Sequence, residues 1–265
     1  MKVLHLSTEV SNQSACKRIS DSLADLGIES RILTLKNSNN ITDICKYPII
    51  RKVLNKIEYI FKNIINNDKR RYISLNLSGI NVLGNKYVKS ADIIHVHWIN
   101  GGYISLNNLI ELSEKKNVVW TVHDSWPFTA ICHVRNECKF YLRGCLKCPL
   151  INRKFESLIN YVVNKKKVIV SNMYFVFPSK IHRDICLQSD IFKYVPLSKT
   201  RIIGNPINSN FYDEHIKKSR EYIYIGFGAV NGINNYLKGY EHLKKALLEI
   251  LKTDRLGVKI CLILF

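Results

Sequence analysis

Proline, methionine and long apolar runs are all scarce in this chain. Among 265 residues there are six prolines and two methionines. No apolar run approaches the ~20 residues that a helix needs to span a bilayer. These shortages exclude a Pro-rich extended chain and a helical membrane protein. The opening Met1-Lys2-Val3-Leu4-His5-Leu6-Ser7 turns polar too soon for the ~7–15 apolar residues of a secretory signal, so the expected location is the cytoplasm. Acidic residues are short as well, 21 against 40 Lys and Arg, leaving a formal charge of +19. A field of that sign attracts phosphate-rich partners: nucleic acid, an anionic membrane surface or a diphosphate-bearing small molecule. The charge has no single focus. Lys69-Arg70-Arg71, Lys165-Lys166-Lys167 and Lys217-Lys218 are dispersed and read first as solvated helix faces. Nucleic-acid recognition would interleave basic and aromatic residues on one element. They are scattered here, so no specific nucleic-acid partner is expected. Repeats and low-complexity tracts are absent too.

What is present is an ordinary globular composition, 46% hydrophobic and 23% charged, long enough for one large or two modest domains. Val3 to Leu6 reads as a strand, the pattern through Ile19, Leu23 and Leu26 as a helix closed by Gly27, and Ile28 to Leu35 as a second extended segment, which together make a βαβ unit. Residues 36–47 look like a surface loop and 49–66 like an amphipathic helix, while 72–90 give no clear pattern. From Asp92 short apolar strands alternate with helices: 93–96, 106–115, 118–122, 155–166, 174–177 and 180–188, the last begun by the cap-like Ser179. This predicts an α/β fold, a Rossmann-like doubly wound parallel sheet covered on both faces. A break at Gly204-Asn205-Pro206-Ile207-Asn208 separates a first domain, 1–203, from the start of a second α/β domain, 204–265. That second part has a strand at 222–227, a helix at 238–252 and a strand at 258–265. One such unit cannot bury both faces of its sheet, so a partner chain or a missing continuation is expected to cover it.

Chemistry-bearing residues gather between 90 and 149. His95 and His97 share one strand face by period-two alternation. His123 sits at a strand end, where open α/β sheets place ligands. Residues 123–149 form a long connection rich in Cys, His and aromatics. Within it, Cys132-x5-Cys138-x6-Cys145-x2-Cys148 offers four thiolates for a structural zinc that would staple the loop; the other reading is four reduced thiols packed as small hydrophobes.

The stretches Asp92-Ile93-Ile94-His95-Val96-His97-Trp98-Ile99-Asn100-Gly101-Gly102 and Trp120-Thr121-Val122-His123-Asp124-Ser125-Trp126-Pro127-Phe128-Thr129 resemble glycosyltransferase family 4, within it the bacterial exopolysaccharide, colanic-acid-type branch. The likeness extends to the cysteine block, to Phe177-Pro178-Ser179-Lys180 and to the turn at 204–208. It implies a two-Rossmann-domain, retaining transferase that moves a sugar from a nucleotide-sugar donor, bound between the domains, to a glycan or lipid-linked acceptor. It needs no cofactor for the chemistry. His123 matches the family histidine that contacts the donor near the bond to be broken, where an imidazole can stabilise charge on a sugar or diphosphate oxygen. Lys238-Gly239 matches the family Lys-Gly, whose cation faces the diphosphate. His97, Trp98, Asn100, Gly101, Gly102, Asp124 and Trp126 fall in the matching stretches as substrate-side residues.

Three departures accompany the likeness. The glycine-rich turn that follows the family's first strand is here Glu9-Val10-Ser11-Asn12-Gln13-Ser14-Ala15, without glycine. The basic residue expected near Gly226-Phe227-Gly228-Ala229-Val230 is missing. The paired glutamates of the donor-binding half have no counterpart before Phe265. The chain therefore reads as a truncated acceptor-side part, inactive unless another chain supplies the donor-binding half, working at the inner face of the cytoplasmic membrane through peripheral, electrostatic contact. A non-catalytic acceptor-binding subunit or remnant, and a basic zinc-stapled nucleic-acid module, are the alternatives.

Overall fold

The computed structural model describes residues 1–35, 42–43, 48–68, 72–207, 222–229, 233, 235–252 and 259–264, with side chains omitted for 42–43, 48–52, 54 and 55. The basic clusters at 69–71 and 217–218, most of the 36–47 loop and Asn208 lie outside the described residues. The chain divides into two compact units, Met1–Asn208 and Ser209–Phe265, a few residues beyond the boundary read from the sequence.

In the first unit, strands β1 (Lys2–Ser7), β2 (Glu29–Thr34), β3 (Thr42–Asp43), β4 (Ile93–Val96), β5 (Asn117–Thr121), β6 (Tyr174–Phe177) and β7 (Thr200–Ile202) form one sheet in the order β3-β2-β1-β4-β5-β6-β7. Every pair is parallel. Its helices are α1 (Ala15–Asp25), α2 (Pro48–Ile65), α3 (Lys86–Ser90), α4 (Leu106–Lys115), α5 (Glu156–Ser171) and α6 (Lys180–Leu187). The fold is thus the α/β, Rossmann-like, doubly wound sheet that the alternating pattern predicts, with the order reversing between β1 and β4.

Local sequence explains the element ends. Ser14, Ser105 and Ser179 cap α1, α4 and α6 by accepting backbone N–H groups three residues on. Gly27, at φ +76°, ends α1: its N–H donates to Ala24 O and that of Ile28 to Leu23 O, the paired bonds of a Schellman stop. One sheet face carries Leu4, Leu6, Ile94, Val96, Val118 and Trp120, all buried in one aliphatic and aromatic core with residues of α4 and α5. The other face places His5 in register with His95, next to Ile32 on β2.

Gly79 marks a close backbone crossing. A Cβ there would stand 2.3 Å from Ser105 N and 2.6 Å from Ile104 C, both backbone atoms that cannot rotate away. Gly79→Ala is expected to lower unfolding free energy by about 3 kcal/mol, measured by urea denaturation, because the chain must shift to admit the methyl. A loss under about 0.5 kcal/mol would show that the crossing is loose.

In the second unit β8 (Tyr222–Phe227) pairs in parallel with β9 (Lys259–Leu264), and α7 (Tyr240–Lys252) lies between them in sequence. The helix begins two residues later than its expected start at 238, because Gly239 adopts φ +79° and closes a separate 3-10 turn, Tyr236–Lys238. No helix among the described residues is long and apolar enough to cross a membrane.

Candidate active site

The strand order reverses between β1 and β4, and ligands of open α/β sheets bind outside the carboxyl ends of the strands at such a point. Here those ends deliver Ser7 and Thr8 from β1, His97 and Trp98 from β4, and His123 and Asp124 from β5. On the polar sheet face the histidines are joined. His97 Nδ1 lies 3.0 Å from His123 Nε2, and His97 Nε2 lies 3.0 Å from His5 Nδ1. The row continues from His5 Nε2 to Ser30 Oγ at 3.1 Å, and from there to Ser20 Oγ at 2.8 Å. His95 packs beside it, its ring centroid 4.3 Å from that of His97, with Nε2 2.7 Å from Thr121 Oγ1.

His5, His95 and His97 are buried, whereas His123 is exposed at the mouth. Burial pushes the His5 imidazole down to about 4. Burial also holds His95 and His97 well below the ordinary value, with neighbouring imidazoles adding to the effect. His123 is lowered too, first by desolvation of its inner edge, partly offset by Asp124 and reinforced by His182. The whole row is therefore neutral near pH 7.

A pH dependence of stability follows. His5 is neutral in the folded chain down to about pH 4 but takes a proton in the unfolded chain below its ordinary 6.5. The unfolded state thus binds more protons between those values, so stability holds above pH 6.5 and is lost as pH falls toward 4. The loss from this group alone is about 3 kcal/mol. Denaturation midpoints measured from pH 8 to pH 4 check it, and a His5→Asn variant should flatten the decline.

Asp124 organises the loop that follows β5. Its Oδ1 accepts the Trp126 N–H at 2.9 Å and its Oδ2 faces His133 Nδ1 at 2.6 Å. Trp98 Nε1 is farther from the same His133 nitrogen, 3.3 Å, so the shorter contact assigns that proton to the carboxylate. His133 Nε2 then accepts from Ser74 Oγ at 2.9 Å. Trp126 is buried, its Nε1 donating to Ser74 O, so it supports the site from inside. Asn100 is buried likewise, with Nδ2 donating to Asn76 Oδ1, and its carbonyl accepts from Thr8 Oγ1. Gly101 and Gly102 take φ +69° and +75°, the left-handed turn that lets the chain leave β4 beside Thr8. In place of a glycine-rich turn after β1, Ser14 and Arg18 close the loop: Ser14 Oγ donates to Ser11 O, and Arg18 donates to Gln13 O and Pro206 O.

Two features of the site lay outside the sequence reading. His182, on the first turn of α6, lies near enough to His123 to lower its proton affinity, and its own Nε2 is buried without a hydrogen-bond partner. The cap-like Ser179 three residues earlier was the available signal. The second is an open cleft of about 180 Å³, lined by Glu58, Lys62, Tyr72, Ser74 and Gly101. Glu58 Oε1 accepts the N–H groups of Leu75 and Asn76, each at 3.0 Å, while its Oε2 is buried and unpartnered. Lys62 Nζ sits 4.7 Å from the Tyr72 ring centroid, and that ring stacks toward Trp98 at 6.3 Å. This wall comes from 72–76, where periodicity was unreadable.

In the cysteine loop Cys138 and Cys148 lie near enough to Cys145 to act on its thiol. Cys132, Cys138, Cys145 and Cys148 do not bring three ligand atoms within 4.8 Å of one another; among the described residues that grouping occurs at His5, Cys16 and His97. Ile73 and Cys132 form an antiparallel bridge, Asn66 and Ile151 another, and Trp126, Phe128 and Tyr141 are buried beneath. Cys145 is buried, accepts the Ala130 N–H at 3.3 Å, and burial pushes its thiol up to about 11. Lys166, expected on a solvated helix face, is fully enclosed: Nζ donates to Trp126 O at 2.5 Å and Thr129 O at 3.0 Å and lies 3.5 Å from the Trp126 ring centroid. In the second unit Lys238 is exposed at the end of its 3-10 turn, before the helix rather than in it.

Against known proteins, one stretch of 67 residues is 33% identical to a protein named as a colanic acid biosynthesis glycosyl transferase, WcaC of Escherichia coli (strain K12). The resemblance is to a glycosyltransferase. The matched stretch covers 23% of this chain and 16% of that relative's length. The crystal structure of Anabaena Alr3699/HepE in complex with UDP superposes on 99% of this chain and 69% of its own, with a TM-score of 0.42 and 10% identity. No family model matches the chain.

Proposed function

We propose that this chain is the acceptor-side part of a retaining, family 4-like glycosyltransferase that moves a sugar from a nucleotide-sugar donor to a lipid-linked glycan in bacterial surface polysaccharide assembly. The observation that carries this reading is the placement of His123. It is the solvent-reached end of a neutral imidazole row, at the carboxyl end of β5 beside the strand-order reversal. An imidazole N–H there can stabilise negative charge growing on a diphosphate or sugar oxygen as the glycosidic bond breaks. The cleft beside Gly101 supports an acceptor role: the exposed Tyr72 ring that lines it suits the apolar face of a sugar ring. The charge of +19 favours both the diphosphate and an anionic membrane surface. Lys238, exposed in the second unit, is the candidate cation for the diphosphate.

Acceptor binding without catalysis is the second reading, favoured by the loop after β1, where residues 9–15 hold no glycine to let the backbone approach a diphosphate. Incubating the protein with labelled UDP-glucose, UDP-galactose, GDP-mannose or GDP-fucose and membranes bearing lipid-linked saccharides separates the two. Label in the lipid-extractable fraction supports transfer. Saturable retention of the lipid-linked saccharide with no label from any donor, in a reaction that also holds a lysate able to supply a donor-binding partner chain, supports the second reading and removes the first. Within the transfer reading, Tyr72→Ala is expected to raise the acceptor KM about 5-fold with kcat little changed, since it removes stacking in both ground and transition states. An unchanged KM would move the acceptor elsewhere.

A further inference from the structure

Three imidazoles in line impose a constraint that one imidazole lacks. A neutral imidazole has one N–H and one bare nitrogen, so at every N···N contact one ring must donate and the other accept. From Ser30 through His5 and His97 to His123 the three contacts are 3.1, 3.0 and 3.0 Å. The rings therefore have only two mutually consistent arrangements. In one, Ser30 Oγ–H donates to His5 Nε2, His5 Nδ1–H to His97 Nε2, and His97 Nδ1–H to His123 Nε2, leaving His123 with its proton on Nδ1. In the other all three bonds reverse, and Nδ1 of His123 is bare. A mixed arrangement would set two N–H groups or two lone pairs against each other inside the sheet, where an unmade bond costs most.

We propose that His5 and His97 are positioning residues that hold His123 in its Nδ1–H form, so that the mouth of β5 presents a hydrogen-bond donor to the oxygen that gains charge during transfer. The kinetic consequence rests on the function proposed above; the tautomer itself does not. Ser20, 2.8 Å from Ser30, supplies the far end: its hydroxyl can donate to Ser30, freeing the Ser30 proton for His5. The groups facing the row are Cys16 on α1, His95 on β4, Asp124 after β5 and His182 on α6. Asp124 and His182 act on the proton affinity of His123 in opposite senses, and His95 is engaged by Thr121 and does not break the line.

The same place could be read as a metal site, because the ligand atoms of His5, Cys16 and His97 lie within 4.8 Å of one another. The nitrogens of His5 and His97 argue against it. They stand 3.0 Å apart, the separation of a shared proton.

The test is a long-range 15N–1H spectrum of the whole chain labelled at histidine, which distinguishes Nδ1–H from Nε2–H ring by ring without any substrate. The expected result is His123 as Nδ1–H in the wild type. In His5→Leu, which breaks the line two rings away, His123 should shift toward Nε2–H; His5→Asn, whose amide can donate to His97 as the imidazole does, should restore it. Ser30→Ala, which removes only the terminal hydroxyl, should give an intermediate population and covers the case in which His5→Leu does not fold. In transfer assays His5→Leu should lower kcat roughly 10-fold with donor KM little changed and displace the pH profile, while His5→Asn recovers most of the rate. The proposal is overturned if wild-type His123 carries its proton on Nε2, or if its tautomer is indifferent to both His5→Leu and Ser30→Ala. It is equally overturned if purified protein carries stoichiometric metal that is lost in Cys16→Ser. A protein that shows the tautomer pattern but transfers no sugar even with a lysate supplying a donor-binding partner chain would refute the proposed function and leave the positioning intact.

Discussion

Replacing His123 with Ala is expected to lower kcat/KM for sugar transfer by about 100- to 1,000-fold, the cost of losing one preorganised donor aimed at developing charge. The change should fall on kcat, because the bond gains its strength as charge builds on the departing oxygen. Folding should be nearly untouched: the ring is exposed at the mouth and bonds through Nε2 to His97 Nδ1. The variant does leave that buried nitrogen facing solvent, which water can satisfy. His123→Gln, which restores an N–H on a different geometry, should recover part of the loss. Matched melting curves with a collapsed rate place the defect in the chemistry; undiminished turnover in His123→Ala removes His123 from the mechanism.

The second large effect concerns stability. Lys166→Ala is expected to cost about 4 kcal/mol, measured as a shift of the urea midpoint at constant slope. Three losses combine. The carbonyls of Trp126 and Thr129 lose the donor that satisfies them inside the loop after β5. The Trp126 ring loses a cation–π partner 3.5 Å away. The stem leaves a cavity in a side chain that is among the largest fully buried ones of the molecule. Lys166→Met, which keeps the volume and removes the donor, should cost about half as much, since the two carbonyls remain unpaired in either case. Because the loop carries Asp124 and borders His123, Lys166→Ala should also weaken transfer below its melting point. A Lys166→Ala variant as stable as wild type would mean that the loop is held elsewhere.

The sheet was legible because its signals are local. Short apolar strands between helical periods, serine caps at 14, 105 and 179, and Gly27 as a stop all act within a few residues of themselves. The strand at 174–177 and the helix at 106–115 were bounded correctly for that reason. His95 and His97 on one face follow from strand alternation alone. Their partners do not: His5 and Ser30 reach His97 only through the register of three parallel strands, which no spacing along the chain encodes. Lys166 shows the same limit. Its neighbours Lys165 and Lys167 are solvent-facing in character, and only the path of the distant loop decides that the middle lysine turns inward to two carbonyls. The cleft at Glu58 and Tyr72 was missed because its wall is irregular chain at 72–76, held by a carboxylate from α2.

Acylation of histidines by diethyl pyrocarbonate, read by mass spectrometry with and without nucleotide sugar, is the most direct test of where the chemistry occurs. Exposed at the mouth, His123 should react in the unliganded protein at the rate its bare Nε2 is released from His97, while His5, His95 and His97, enclosed by the sheet, stay unmodified. If the mouth of β5 is where the sugar is transferred, a UDP- or GDP-sugar that supports transfer will protect His123 saturably, and the free sugar will not. Acylation of His123 at the same rate under saturating concentrations of that donor would contradict it.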